Sequence, residues 1–298
     1  MADVTDTSLT AVGVSARPNV LARVLAEPRA AVSGGIILLL VVFAVFAPLL
    51  APHDPLRQDL MLSQIPPVWM AGGEPGYLLG TDSLGRDVLS RLIHGAQVTV
   101  IVAFVAATLA CLLGSTLGLI AGFAGGIVDM AISRLVDIWM AFPPVLLSVL
   151  LVAVLGAGLH SVIIAIVVID WTRFCRVVRA EVLQQAKRDY IDSAVTLGMG
   201  RIAILFREIL PNVLPLIIVL LTLEMGIAVI VEAILSFVGL SISTDQPTWG
   251  GMIAEGRQII HHAWWVLVFP LIALFVTVLA FNQLGDGLRR ALDPVLRA

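Results

Sequence analysis

Long apolar runs with few or no charges alternate with short polar segments along the chain. A helix that crosses a hydrocarbon core of about 30 Å needs roughly 20 apolar residues. Runs of that length lie at residues 31–51, 96–128, 138–169, 212–240 and 263–283. The third run is too long for one span, and its Gly156-Ala157-Gly158 segment breaks it, so we predict two helices at about 131–156 and 159–178. The pattern therefore predicts six spans.

The first span has an alternative interpretation as a cleaved signal peptide. The apolar core of such a peptide is typically about 7–15 residues long and follows a short charged region. The run at 31–51 is longer, and about 30 residues precede it. These lengths favour a membrane anchor.

The distribution of basic residues predicts the orientation of the spans. Six spans place both termini on one side, together with fourteen basic residues, whereas four basic residues lie on the other side. The fourteen are Arg17, Arg23, Arg29, Arg134, Arg173, Arg176, Arg179, Lys187, Arg188, Arg201, Arg207, Arg289, Arg290 and Arg297; the four are Arg57, Arg86, Arg91 and Arg257. Basic residues concentrate in cytoplasmic loops. We therefore predict that both termini are cytoplasmic.

Composition agrees with a membrane protein. Hydrophobic residues make up 59% of the 298 residues and charged residues 13%, against about 45–50% and 25% in soluble domains. The net charge of −3 shows no basic excess, so nucleic acid is an unlikely partner. Cys111 and Cys175 lie far apart, and we expect small buried side chains rather than a disulfide or a metal site.

The spans divide the chain into five predicted segments. These are a cytoplasmic tail at 1–30, an anchor helix at 31–52, an extracytoplasmic loop at 53–95, a core of five spans at 96–284 and a cytoplasmic tail at 285–298. The core contains a large cytoplasmic loop at 179–211. The predicted fold class is an all-α membrane protein.

The loop at 179–211 predicts two short helices. Asp189 or Asp192 is a candidate cap for a helix that runs to Leu197, and Gly198 is its stop. A second helix is expected to begin near Arg201 and to end by Leu210, before a proline. Its apolar residues fall on one helical face: Ile202, Leu205, Phe206 and Ile209. This unit either packs on its own bundle or docks in a groove of a cytoplasmic partner, and periodicity leaves both open.

The same loop resembles a known motif. The segments Tyr190–Gly198 and Ile209–Asn212 are similar to the "EAA" loop of ABC importer permeases, in which Glu-Ala-Ala is followed by a glycine and later by Leu-Pro. Asp192 replaces the glutamate and Ser193 the first alanine. Ala194, Gly198, Leu210 and Pro211 match the motif.

Further segments resemble the dipeptide/oligopeptide/nickel branch of that superfamily. They are Leu79–Arg91, Asp129–Pro143, Glu232–Leu240, Pro247–Gly250, Leu284–Asp286 and Leu292–Pro294. Together they cover roughly residues 30 to 298. The resemblance implies the type I ABC importer permease fold in a bacterial inner membrane.

The resemblance also implies the partners. They are a sister permease, two ATP-binding subunits, an extracytoplasmic solute-binding protein and membrane lipid. The residues expected to couple to the ATPase are Asp192, Ser193, Ala194, Gly198, Gly200, Leu205, Phe206, Leu210 and Pro211. The chain's only lysine, Lys187, lies outside any Gly-x-x-x-x-Gly-Lys pattern. We therefore expect no enzyme activity and no cofactor on this chain, with ATP-Mg bound by the partner subunits.

Charged residues inside the apolar runs are candidates for the translocation path or a subunit interface. A charge at mid-bilayer costs about 2.5–3.5 kcal/mol on insertion scales, yet the fifth span contains Glu224 and Glu232. Arg134 and Asp137 form an expected local pair, and Asp170 and Arg173 repeat that spacing. Structural pairing is the alternative for all of them.

Small residues and histidines complete the candidate features. Glycines recur every four residues at Gly114, Gly118, Gly122 and Gly126, which predicts close helix packing. His261 and His262 lack further ligands, so we predict no metal site.

Two other functions were weighed against an importer permease. A secondary transporter predicts inverted repeats with broken helices, and no convincing similarity links the two halves. An intramembrane enzyme needs paired ligands or a nucleophile with its base, and none stands out. The sequence leaves the solute open among dipeptides, oligopeptides, nickel chelates, glutathione and opines.

Overall fold

The computed structural model describes residues 26–240 and 246–292, which are mostly helical. The α-helices are α1 Pro28–Val45, α2 Ala47–Leu50, α3 Val88–Ile101, α4 Ala107–Ala124, α5 Gly126–Met140, α6 Pro144–Leu155, α7 Leu159–Gln185, α8 Asp189–Thr196, α9 Arg201–Ile204, α10 Leu210–Phe237, α11 Trp249–Gln258 and α12 Trp265–Leu292. A 3₁₀ turn covers Leu60–Leu62. These ranges contain no β-strand beyond one isolated bridge between Thr81 and Asp87. An all-helical fold satisfies backbone hydrogen bonds without water, as a bilayer requires.

Several helices join into longer rods. A π-helical turn at Val102–Ala106 links α3 to α4, and a second at Leu205–Ile209 links α9 to α10. The predicted tails at 1–30 and 285–298 lie partly outside the described residues, as does the Leu292–Pro294 segment. The described end of α12 nevertheless meets α1, because an added Cβ at Gly287 would lie 2.6 Å from Cβ of Ala30.

The predicted number of spans is only partly matched by helix length and composition. Four described segments are long and apolar enough to cross a membrane: Pro28–Val45, Val88–Ala124, Arg201–Phe237 and Trp265–Ala291. Counting the bent pair of α5 and α6 as one span gives five. The helix predicted as the fourth span, α7, has 27 residues but contains Asp170, Arg173 and Arg176, so composition alone does not mark it.

The third predicted span differs from expectation. A single helix was predicted over 131–156, but α5 and α6 meet at an angle of 85°. The break covers residues 141–143, and its last residue, Pro143, is followed directly by Pro144 at the start of α6. Neither proline has an N–H to continue the helical ladder. The predicted break further on is confirmed, since Gly156 and Gly158 adopt φ of 88° and 156° between α6 and α7.

The glycine repeat brings α4 against α7. An added Cβ at Gly114 would lie 2.1 Å from the carbonyl oxygen of Trp171, and one at Gly118 would lie 2.7 Å from that of Cys175. An added Cβ at Gly122 would lie 2.8 Å from Cβ of Val182 and 2.9 Å from the carbonyl oxygen of Arg179. The predicted packing face is therefore confirmed for these three glycines. Gly126 does not share it, because α4 ends at Ala124 and Gly126 begins α5.

The first helix is an integral part of the bundle. It packs on α3 and α12, and Gln97 donates a hydrogen bond of 2.9 Å to the carbonyl oxygen of Ala44 at its end. Both cysteines are free and buried, as predicted.

Candidate coupling surface and membrane charges

The loop between α7 and α10 begins with a well-defined short helix. Gly198 follows α8 with φ of 79°, and the N–H of Met199 donates to the carbonyl oxygen of Ala194 at 3.0 Å. This 6→1 hydrogen bond around a left-handed glycine is a Schellman stop. The predicted cap is wrong, because Arg188 occupies the N-cap position without a side-chain hydrogen bond. Asp189 and Asp192 lie in the first turn instead. A carboxylate there still stabilises the helix through its interaction with the helix dipole.

The second predicted helix does not end at Leu210. It continues through Pro211 as one rod from Arg201 to Phe237. The π-helical turn at Leu205–Ile209 ends two residues before the proline. A π-helical turn replaces the usual i→i−4 hydrogen bonds, which a proline would otherwise interrupt. The loop at 179–211 is therefore continuous with a membrane-spanning helix.

The apolar residues of this unit divide between two faces. Ile191, Ala194, Ile204 and Ile209 are buried and join one hydrophobic cluster with Phe174, Val178 and Val182 of α7. The single face predicted for the second helix is therefore wrong. Ile209 is buried and Leu205 half-buried, whereas Ile202 and Phe206 are exposed. The π-helical turn shifts the angular register, so i, i+3, i+4 spacing no longer describes one face.

Four large apolar side chains remain uncovered and form what we call the exposed loop patch. They are Val195, Leu197, Ile202 and Phe206, with exposed fractions of 57, 85, 74 and 59%. Large apolar side chains exposed together on a polar connecting segment are typical of a surface for another protein. Packing on the chain's own bundle is therefore confirmed for one face, and docking of the exposed face on a partner stays a prediction.

The predicted coupling residues lie mostly on the outside of this unit. Asp192, Ser193, Gly198, Gly200, Phe206 and Pro211 are exposed, Leu205 and Leu210 are half-buried, and Ala194 is buried. Ala194 thus holds the unit on α7 and does not present a surface. Side-chain contacts fix the unit further, with the Arg201 guanidinium 5.8 Å from the Phe123 ring centre and Tyr190 donating to Gln185 at 2.9 Å.

A second group of charges lies within the helical bundle and is called the membrane charge cluster: Asp170, Arg173 and Glu224. Nη1 of Arg173 lies 3.3 and 3.4 Å from the two carboxylate oxygens of Glu224. The Glu224 side chain is 3% exposed, and that of Arg173 is 41% exposed. Asp170 is buried and interacts electrostatically with both. Arg173 therefore pairs directly with Glu224 across helices, and not with Asp170 as its spacing predicted.

The other predicted membrane charges have different surroundings. Glu232 is buried and accepts a hydrogen bond from the Ser236 hydroxyl. Arg134 and Asp137 approach to 4.0 Å, but their side chains are 77 and 55% exposed. Glu224 and Glu232 thus face the interior of the bundle, as expected. Arg134 and Asp137 of α5 are exposed instead.

A third group of charges, the outer ion network, connects α3 and the segment before it to α11. It comprises Asp82, Arg86, Arg91 and Glu255. The enclosed Asp82 carboxylate accepts from Nε of Arg86 at 2.7 Å and from Nη1 of Arg91. Glu255 of α11 accepts from Arg86 at 2.8 Å and from Arg91 at 2.7 and 3.2 Å. Burial raises the pKa of Glu255, but its hydrogen bonds and the two arginine charges outweigh burial and lower the pKa overall.

Two protein families match the sequence. One, described as the binding-protein-dependent transport system inner membrane component, matches residues 114–298, which include the exposed loop patch and the membrane charge cluster. The other, the N-terminal TM domain of oligopeptide transport permease C, matches residues 19–67. The chain belongs to the binding-protein-dependent permease family. The predicted resemblance is confirmed, and this permease is a multi-pass inner membrane protein.

Individual relatives align with nearly the whole permease. The di/tripeptide transport system permease protein DppC of Pseudomonas aeruginosa is 42% identical over 91% of this chain and 90% of its own length. The glutathione transport system permease protein GsiD of Pectobacterium atrosepticum is 37% identical over 93 and 90%. The inward-facing MetNI methionine ABC transporter contains a chain with a TM-score of 0.58 at 21% identity, covering 68% of the permease and 97% of that chain. The last similarity concerns the fold.

Sequence reasoning missed the long-range charge pairs of the permease. Arg91 and Glu255 are 164 residues apart, and Arg173 and Glu224 are 51 apart. Only Asp82 and Arg86, four residues apart, gave a local signal. Within the described residues no group of three or more His, Cys, Asp or Glu could hold a metal ion, and His261 and His262 belong to none.

Proposed function

We propose that this permease forms half of the translocation path of an ATP-driven importer for peptide-like solutes. The proposal is supported by relatives whose names specify di/tripeptide, oligopeptide and glutathione transport. Among the solutes left open by the sequence, peptides and glutathione share an amide backbone with a free carboxylate. Nickel chelates have no such support from these relatives. ATP-Mg is bound and hydrolysed by separate subunits.

The exposed loop patch is the observation that carries the proposal. It presents four uncovered apolar side chains next to the family's coupling motif, while the reverse side of the same unit is buried on α7. An amphipathic helical unit of this kind docks in an apolar groove of a partner. The partner that fits is the nucleotide-binding subunit of the importer.

Coupling follows from the way the unit joins the membrane helices. The chain enters it from α7 and leaves it through the continuous rod to Phe237. When nucleotide binding closes the ATPase pair, the docked unit moves. The helix α7 and the rod that ends at Phe237 move with it. The same motion then closes the path on one side of the membrane and opens it on the other.

This mechanism requires the topology predicted from the basic residues. In that topology α7 is the fourth of six spans, both termini are cytoplasmic, and the loop at 179–211 faces the ATPase. The segment 53–95 then faces the solute-binding protein, and the core at 96–284 packs on a sister permease. The assembly consists of two permeases, two ATP-binding subunits and one binding protein in lipid.

Charge substitution in the exposed loop patch tests the docking role. Leu197→Asp and Phe206→Asp place a carboxylate where we expect an apolar contact, so co-purification of the ATPase should fall at least tenfold, since a desolvated unpaired charge costs more than about 1.4 kcal/mol. Leu60→Asp is the matched control, because Leu60 is 70% exposed on the outer segment. It should leave ATPase binding unchanged. Full ATPase retention by the loop variants would contradict the proposal.

A labelling experiment tests the orientation. A cysteine placed at Gly200 after removal of Cys111 and Cys175 should react with a membrane-impermeant thiol reagent only in inside-out vesicles. Reaction from outside intact cells would place the loop on the wrong side of the membrane.

A further inference from the structure

Arg173 leaves most of its hydrogen-bonding capacity unused. Its Nη1 contacts the two oxygens of Glu224. Within residues 26–240 and 246–292, Nε and Nη2 make no hydrogen bond, and the side chain is 41% exposed. A guanidinium presents its donors as a planar fork that matches a carboxylate with two parallel hydrogen bonds. One edge of that fork is therefore available.

The available edge belongs to a residue of the predicted fourth span, five residues before the expected end of that span at 178. Arg173 follows Leu159 by 14 residues, and Glu224 follows Leu210 by the same number, which places each about 21 Å along its helix at 1.5 Å per residue. A charge at that position does not face lipid, because contact with hydrocarbon is costly. The uncovered side of Arg173 therefore faces an aqueous path or another protein chain.

The surrounding exposed charges favour an anion on this side. Arg176 is exposed on the same helix and donates to Sδ of Met140 in α5 at 3.5 Å. On α5 and α7, Arg134, Arg176 and Asp137 are exposed and Arg173 is partly exposed. Arg179 and Asp129 pair with each other, and the carboxylates of Asp170 and Glu224 are buried.

We propose that Arg173 binds the C-terminal carboxylate of a peptide during its passage through the membrane. The inference rests on the proposed peptide import and assigns a residue to it. The terminal carboxylate is common to peptides of every sequence, so a guanidinium fork recognises them without reading side chains. Glu224 and Asp170 offset the arginine charge from behind, which keeps the interaction weak enough for release, as conduction requires.

The test compares a tripeptide with its C-terminal amide. The complete importer, with sister permease, ATPases and binding protein, is reconstituted in liposomes, and transport is measured at concentrations where the binding protein is loaded with either peptide. Arg173→Gln should lower transport of the free acid about tenfold, as expected for loss of a charge-assisted pair. Transport of the amide should change less than twofold. Arg173→Lys keeps the charge but loses the planar fork of donors. Its rate of free-acid transport should lie between those of the wild type and Arg173→Gln.

The ratio of the losses in free-acid and amide transport distinguishes carboxylate recognition by Arg173 from a structural role of that residue. Equal losses for acid and amide, or no loss for either, would overturn the inference. Arg57→Gln, a charge removal on the exposed outer segment, should leave both rates unchanged. Wild-type importer that transports neither peptide would overturn the proposed function and this inference with it.

A second measurement does not depend on the amide. Arg173→Cys, in a chain without Cys111 and Cys175, should react with a cationic thiosulfonate reagent in at least one nucleotide state, because the position faces water. Free tripeptide should slow that reaction. A cysteine that is unreactive in every nucleotide state would place the side chain against protein and contradict the inference.

Discussion

The outer ion network and the membrane charge cluster both pair arginines with carboxylates, yet they differ in how completely the arginines are bonded. In the outer network, four of six guanidinium nitrogens bond carboxylates, and the two arginine side chains are 8 and 5% exposed. In the membrane cluster, one of three nitrogens does so, and the side chain is 41% exposed. Enclosed and bonded charges hold elements together, whereas a charge with free donors is available to a ligand.

The two groups also lie on different elements. The outer network lies on the segment before α3, at the start of α3 and on the short helix α11. The membrane charge cluster joins α7 to α10, the two helices on either side of α8 and α9. If the outer ion network is architectural, its variants should lose stability. If the membrane charge cluster serves transport, its variants should stay stable but change transport.

The largest stability effect is expected at Asp82. Its carboxylate is fully buried and also accepts from the backbone N–H groups of Leu84 and Arg86 at 2.8 and 3.0 Å. Asp82→Ala removes one of the two carboxylates that the buried guanidinium groups of Arg86 and Arg91 share, with Glu255 remaining as the other, so we expect a loss of about 3 kcal/mol. Thermal unfolding of the purified permease and limited proteolysis of residues 52–87 measure it.

A control on the same segment tests whether burial is responsible. Asp54 is exposed, and among the described contacts its carboxylate accepts only from the N–H of Leu56. Asp54→Ala should change stability by less than about 0.5 kcal/mol. Comparable losses in the two variants would mean that the outer network is no more important than any surface carboxylate.

The membrane cluster should show a much smaller stability effect. Glu224→Gln keeps the side-chain shape and removes the ion pair with Arg173, whose partial exposure limits the pair to about 1 kcal/mol. We expect normal assembly but altered transport, because the charge behind Arg173 is gone. Apparent affinity for free-acid peptides should rise while maximal transport falls. Destabilisation as large as that of Asp82→Ala would assign the membrane cluster an architectural role instead.

The sequence predicted the apolar elements well because the bilayer imposes a single requirement on them. Runs of apolar residues, the Gly156–Gly158 break and the glycine stripe all depend on local composition. The 85° bend before Pro144 and the rod through Pro211 were missed, since both depend on how neighbouring turns accommodate a proline. The free edge of Arg173 could not be predicted, because it depends on Glu224 of another helix and on what that pairing leaves unused.

The smallest effect concerns pH and the outer network. The folded pKa of Glu255 is lowered from its ordinary value of 4.5, so its charge contributes stability that is fully present above pH 4.5 and is lost as the pH falls through the lower folded value. Stability relative to Glu255→Gln should therefore be constant from pH 7 to about pH 5 and decline below about pH 4.5. Because Glu255 is partly exposed, the total difference should be about 1 kcal/mol or less. Thermal unfolding of both proteins across this pH range measures it. A stability difference that grows on acidification would mean that Glu255 is protonated in the folded protein. It would contradict the stabilising role of charged Glu255 in the outer ion network.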